Sequence, residues 1–222
     1  MLPTNRLNTE DNASGKTLLH LFEKHRNTSP NKIIYRFLPN GEEESDSRTY
    51  QELYDRSRVI ASNILTKVKP GDRVLLLYPS GLDFVDAVLG CLMAGVIAVP
   101  AFPPQGKRRI GRLEKIVADS KASLILTTDN VYSKSHKWFS NEVFAEIQWL
   151  QTNIIKESVE TDFPAIHPET IAFLQYTSGS TGDPKGVIVN HANILHNNRL
   201  IQNCRCKLVT NLSRYGIDRK HS

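Results

Sequence analysis

Residues 73–100 read RVLLLYPSGLDFVDAVLGCLMAGVIAVP, and this stretch decides the fold. Val74–Tyr78 is an unbroken apolar run closed by Pro79-Ser80-Gly81, the pattern of a strand covered on both faces. Phe84–Ala94 has helical length and stops at Gly95, and Val96–Val99 is a second buried strand. The same alternation continues downstream. Arg109–Ser120 reads as a helix and Leu124–Thr127 as another buried strand, with a further helix predicted within 139–150. Ile171–Tyr176 and Val187–Asn190 are strands on either side of a glycine-rich stretch, while 151–169 looks like a surface connection. Upstream, 17–27 places Leu18, Leu19, Leu21 and Phe22 on one helical face. Ile33–Leu38, the turn Pro39-Asn40-Gly41 and Ser47–Tyr50 form a hairpin. Thr49, with Glu52 three residues on, caps a helix reaching about Lys67. The expected class is α/β: a mostly parallel sheet flanked by helices on both faces.

The composition is that of an ordinary globular chain, with 222 residues, 40% hydrophobic and 23% charged. A net charge of +5 suggests a nucleic-acid partner at first. Its distribution argues otherwise. Residues 1–198 are balanced, and the excess comes from Arg199, Arg205, Lys207, Arg214, Arg219 and Lys220 against Asp218 alone. Between Asp86 and Lys107 no residue is charged, a length that could span a bilayer. Gly90, Gly95, Pro100, Pro103 and Pro104 interrupt it, so no membrane span is expected. Three cysteines cannot complete a disulfide framework, and with no apolar leader at the N-terminus a reducing, cytoplasmic setting is expected. Cys204-x-Cys206 lacks the second pair that a structural zinc needs. Cys91 reads as a small core residue, His191 and His196 as local packing or capping groups, and Asn190 as a helix cap. Lys107-Arg108-Arg109 reads as a solvated helix start.

The chemistry lies in Tyr176-Thr177-Ser178-Gly179-Ser180-Thr181-Gly182-Asp183-Pro184-Lys185-Gly186-Val187. Glycines let backbone N–H groups approach an anion, the hydroxyls of Thr177, Ser178, Ser180 and Thr181 add donors, and Lys185 adds a charge on a long stem. A polyphosphate is the ligand such a set fits. Gly-Ser-Thr-Gly-x-Pro-Lys-Gly arises by chance about once in ~10⁸–10⁹ windows at ordinary residue frequencies, so a plain loop is a poor explanation. An ordinary P-loop is excluded too: it ends Gly-Lys-Ser/Thr and opens a helix, whereas Lys185 sits between Pro184 and Gly186 and leads into a strand.

This stretch resembles the phosphate-binding signature of the adenylate-forming (AMP-binding) superfamily: acyl-CoA synthetases, luciferases and peptide-synthetase adenylation domains. Thr49–Leu53 with its helix, and 186–197 after the loop, resemble the same family. Gly71–Pro104, ending GVIAVPAFPP, and Phe173-Leu174-Gln175-Tyr176 resemble its fatty acyl-AMP ligase branch. The resemblance covers 15–203, between a flexible N-terminus (1–14) and a divergent basic tail (204–222). It implies the first portion of the large N-terminal domain of such an enzyme.

The activity implied is attack of a fatty-acid carboxylate on the α-phosphate of ATP with Mg²⁺, giving acyl-AMP and pyrophosphate. The acyl group then passes to an acyl carrier protein or a polyketide/peptide synthase module, or to CoA as in long-chain acyl-CoA synthetases. Thr177, Ser178, Gly179, Ser180, Thr181, Gly182, Lys185 and Gly186 would hold the ATP phosphates. The family's lid lysine, Mg²⁺-binding acid and ribose-gripping aspartate have no counterpart here, so no catalytic residue and no metal ligand is assigned. The expectation is a truncated fragment, inactive alone, produced by a premature stop or frameshift. Two other classes compete with a ligase: a non-catalytic remnant or half of a split enzyme, and a nucleic-acid binder resting on the basic tail.

Overall fold

The computed structural model describes residues 16–104, 106, 110–139, 144, 147–178 and 184–214. In chain order the first elements are α1 (Leu18–Thr28), β1 (Ile33–Phe37), β2 (Asp46–Thr49), α2 (Tyr50–Leu65), β3 (Arg73–Leu77), α3 (Leu82–Ala94) and β4 (Ile97–Ala101). There follow α4 (Ile110–Ser120), β5 (Leu124–Thr127), α5 (Asp129–Ser135), β6 (Gln148–Gln151), β7 (Ile171–Ser178), β8 (Pro184–Asn190) and α6 (His191–Arg214). Six strands pair in the order β6-β5-β3-β4-β7-β8, and β1-β2 is a separate antiparallel hairpin. Every pairing in the large sheet is parallel except β7–β8.

Strand alternation sorts the apolar runs onto two faces. Val74, Leu76 and Tyr78 pack with Leu124, Leu126, Ile60, Ile64, Ala87 and Cys91, so α2 and α3 cover one face. Leu75 and Leu77 pack with Ile125, Leu113, Ile116 and Val117, which places α4 on the other. The doubly covered parallel sheet read from residues 73–100 is therefore present, and Cys91 is fully buried in it. Thr49 caps α2 as expected: its hydroxyl accepts from the Glu52 N–H, and the Glu52 carboxylate accepts from the Thr49 N–H at 2.8 Å.

Two helices approach closely at Gly90. A Cβ there would lie 2.9 Å from Ile60 Cγ2, 3.1 Å from Ile60 Cβ and 3.2 Å from the Ser57 carbonyl oxygen. A β-branched stem and a backbone carbonyl cannot rotate aside, so α2 and α3 must separate to admit it. Gly90→Ala is expected to destabilise the chain by about 1–3 kcal/mol despite alanine's higher helix propensity, measured as a lower urea midpoint.

The β1–β2 hairpin is fastened to α3 by an ion pair. Arg48 Nη2 lies 3.2 Å from Asp86 Oδ2, and the Asp86 side chain is 1% exposed. Among the described residues, Asp86 Oδ1 is buried without a hydrogen-bond partner. Burial raises the Asp86 carboxyl above its ordinary value, while the hydrogen bond and charge of Arg48 pull the other way.

Three places depart from the sequence reading. The helix predicted within 139–150 gives way at its end to β6, which pairs in parallel with β5. Leu150 packs into one face of the sheet and Trp149 into the other, the two-residue alternation of a strand. Residues 140–143, 145 and 146 lie outside the described set. The second departure is α5, a short helix capped by the Thr128 hydroxyl, which accepts from the Val131 N–H. The third is α6, whose backbone stays helical through Arg214, into the stretch from 204 onward that the sequence reading sets apart as a divergent basic tail. Residues 1–15 and 215–222 lie outside the described residues. Among those described, no helix is long and apolar enough to cross a membrane.

Candidate phosphate-binding site

β7 runs parallel to the central strands, so its end at Ser178 lies at the carboxyl edge of the sheet, the edge where open α/β folds carry ligands. β8 returns antiparallel beside it, with Tyr176 opposite Gly186, Thr177 opposite Lys185 and Ser178 opposite Pro184. Directly opposed residues of an antiparallel pair share a face, and successive residues alternate. Tyr176 is buried, whereas Thr177 and Lys185 are exposed. The hairpin thus presents a hydroxyl and an ammonium side by side on one face. Gly179, Ser180, Thr181 and Gly182 were assigned to the same site from the sequence and lie outside the described residues.

The stem is held from beneath. Tyr176 packs in one apolar cluster with Leu113, Ile116 and Val117 of α4 and donates its hydroxyl proton to Asp119 Oδ2 at 2.5 Å. Burial, with the Asp119 hydrogen bond and charge adding to it, pushes the Tyr176 phenol well above its usual range, so it stays a donor at neutral pH. A Cβ on Gly186 would lie 3.0 Å from Tyr176 Cζ, so the ring rests against bare backbone there. The sequence gives no sign of the Tyr176–Asp119 bond, because 57 residues separate the partners.

A second polar chain stiffens the same edge. Tyr78, just past β3, shares a 2.8 Å hydrogen bond with the Thr152 hydroxyl, and the Thr127 hydroxyl donates to the Leu77 carbonyl at 2.7 Å. Arg56 donates to the carbonyls of Thr152 and Ile155. After β8 the chain turns into α6 through reciprocal caps, Asn193 N–H to Asn190 Oδ1 at 2.8 Å and Asn190 N–H to Asn193 Oδ1 at 3.1 Å. His191 is buried as expected of a packing residue, and burial lowers its pKa, leaving the ring neutral.

Two cavities among the described residues lie elsewhere. One of about 260 Å³, lined by Pro70, Gly95, Ile166 and Thr170, sits at the amino end of β7. An apolar groove of about 510 Å³ lies between α1, the first hairpin and α3. Among the described residues, no three His, Cys, Asp or Glu side chains converge as a metal-holding group.

The sequence pattern of AMP-binding enzymes matches residues 22–215. The chain belongs to that family. The match runs beyond residue 203, where the resemblance read from the sequence stopped. It is 42% identical to a medium-chain-fatty-acid–[acyl-carrier-protein] ligase, JamA of Moorena producens (strain JHB), over 188 residues. That alignment takes in 81% of this chain and 32% of JamA. It is 36% identical to the long-chain-fatty-acid–AMP ligase FadD26 of Mycobacterium tuberculosis, covering 80% of this chain and 31% of FadD26. Among solved structures it resembles the fatty acyl-adenylate ligase of L. pneumophila in complex with acyl adenylate and pyrophosphate. The TM-score is 0.69 at 37% identity, over 82% of this chain and 31% of that one. It also resembles McyG A-PCP complexed with phenylalanyl-adenylate, with a TM-score of 0.74 at 27% identity, over 85% of this chain and 30% of that one. The chain spans about a third of the length of the curated relatives it matches.

Proposed function

We propose that this chain supplies the phosphate-holding part of an ATP-dependent ligase that adenylates fatty acids. The observation that carries the reading is the β7–β8 stem, which sets Thr177 beside Lys185 at the carboxyl edge within the family's signature stretch. A carboxylate oxygen attacks the α-phosphorus of ATP; the bond to the β-phosphate's bridging oxygen breaks, leaving acyl-AMP and pyrophosphate. Little covalent help is needed. The protein's task is to hold the polyphosphate in line and to neutralise the charge that builds on the departing pyrophosphate. Lys185 supplies that positive charge, and Thr177, Ser178, Ser180, Thr181 and the backbone N–H groups of Gly179, Gly182 and Gly186 supply donors.

The neighbouring ligase that binds acyl adenylate and pyrophosphate and the relative that loads an acyl carrier protein both support this reading. Mg²⁺ is the proposed counter-ion of the ATP, and a carrier-protein thiol is the proposed acceptor, with CoA the alternative. By itself the chain is proposed to bind ATP without turning it over.

The test is fatty-acid-dependent exchange of pyrophosphate into ATP, run on two proteins. One is this chain alone; the other joins residues 16–203 to the downstream part of JamA, replacing JamA's own corresponding segment. Exchange in the joined protein and none in the chain alone is the expected pair of results. Exchange in the chain alone overturns its proposed inactivity. A joined protein that folds and takes the carrier protein, yet forms no acyl-AMP, overturns the adenylation reading.

A further inference from the structure

The Tyr176–Asp119 hydrogen bond lies on no path to a phosphate, yet it sits under both exposed residues of the stem. Tyr176 precedes Thr177 in β7, and its ring backs onto Gly186, which follows Lys185 in β8. β8 is the last strand of the sheet, so among the described strands it is hydrogen-bonded to β7 alone. α4 also packs against it, as does α6, which follows it in the chain. Asp119 is on α4, one residue before its end. A buried phenol needs a polar partner, and an anionic acceptor makes the stronger bond.

We propose that Asp119 is a positioning residue for the phosphate site: through the Tyr176 hydroxyl it ties α4 to the β7–β8 stem and fixes where Thr177 and Lys185 stand. The inference rests on the adenylation reading for what the stem holds, but not for the tie itself. Asp119 touches no substrate. Its carboxylate would repel a polyphosphate in direct contact, and the phenol is interposed. The bare backbone at Gly186 belongs to the same device, because a side chain there would lift the ring off β8 and stretch the hydrogen bond.

The experiment compares Tyr176→Phe, Asp119→Ala and Asp119→Asn in the full chain, using Mg·ATP as the probe. Binding is measured by equilibrium titration, and amide hydrogen exchange is followed across 171–190 with 73–77 and 124–127 as internal references. Tyr176→Phe and Asp119→Ala are expected to weaken Mg·ATP binding about tenfold, because Thr177 and Lys185 must then be ordered when the phosphates bind. They should also speed exchange in the stem while the reference strands hold. Asp119→Asn keeps an acceptor oxygen without its charge and is expected to fall between the parent protein and Asp119→Ala in both measurements. Unchanged stem exchange in Tyr176→Phe and Asp119→Ala overturns the proposal. So does faster stem exchange with parent-like ATP affinity. If the parent protein itself binds no Mg·ATP, the proposal that the chain alone holds ATP fails, and the adenylation reading is left to the pyrophosphate exchange of the joined protein. Stem exchange then still decides the tie: faster in Tyr176→Phe supports it, unchanged overturns it.

Discussion

Lys185→Ala is expected to weaken Mg·ATP binding by about 100-fold while leaving the urea midpoint unchanged. Lys185 is exposed on the edge strand β8, opposite Thr177, and no apolar cluster includes it. Its removal therefore costs the fold little, as for most surface substitutions. Against a polyphosphate its ammonium makes charge-assisted hydrogen bonds worth about 1.5–3 kcal/mol each, and about 2.7 kcal/mol corresponds to 100-fold in affinity. Lys185→Arg is expected to recover only part of the loss, since a planar fork does not reproduce a compact point charge beside Pro184 and Gly186. Equilibrium titration with Mg·ATP reads the effect. Parent-like affinity in Lys185→Ala removes the lysine from the site.

The largest effect on stability is expected from Arg48→Met. Arg48 is partly exposed and Asp86 buried, so removing the arginine strands a buried carboxylate at a cost near the low end of the buried-pair range, about 3 kcal/mol. Here the stranded group is Asp86, whose Oδ1 already lacks a partner among the described residues. Its folded-state pKa is raised by burial and held down by Arg48, so losing Arg48 moves it further up. The folded chain then binds this proton more tightly than the unfolded one. For such a group stability is fully present below the unfolded pKa and is lost as pH rises through the folded pKa. Arg48→Met should accordingly be less destabilised near pH ~5 than near pH ~8. Urea unfolding at the two values checks the sign. The double change Arg48→Met with Asp86→Leu removes both charges and is expected to regain most of the loss; no recovery would mean that packing, not charge, dominates there.

The sheet was legible because its central strands are apolar on consecutive residues: Val74–Leu77 and Leu124–Leu126 must be covered on both faces wherever they lie. Thr49 with Glu52 marked the start of α2, since a capping box is written within four residues. β6 was not legible. Gln148-Trp149-Leu150-Gln151 offers two adjacent apolar residues, and only pairing with β5 assigns them to opposite faces. In α5, DNVYSKS has too little apolar periodicity to mark a helix without its Thr128 cap. At the site, the signature residues stood out by type and spacing, but what holds them did not. Tyr176–Asp119 and Arg48–Asp86 join residues far apart in sequence, and a lone Asp in a helix carries no mark of its partner. The basic excess that first suggested a nucleic acid begins at Arg199, within α6, a helix the family match takes in.

The account is tested most directly by titrating the chain with Mg·ATP while following amide exchange across the β7–β8 stem. It predicts saturable binding that slows exchange at 177–186, with both effects lost in Lys185→Ala. A folded chain that binds no Mg·ATP, or binds it with equal affinity and no stem protection in the Lys185→Ala protein, would contradict it.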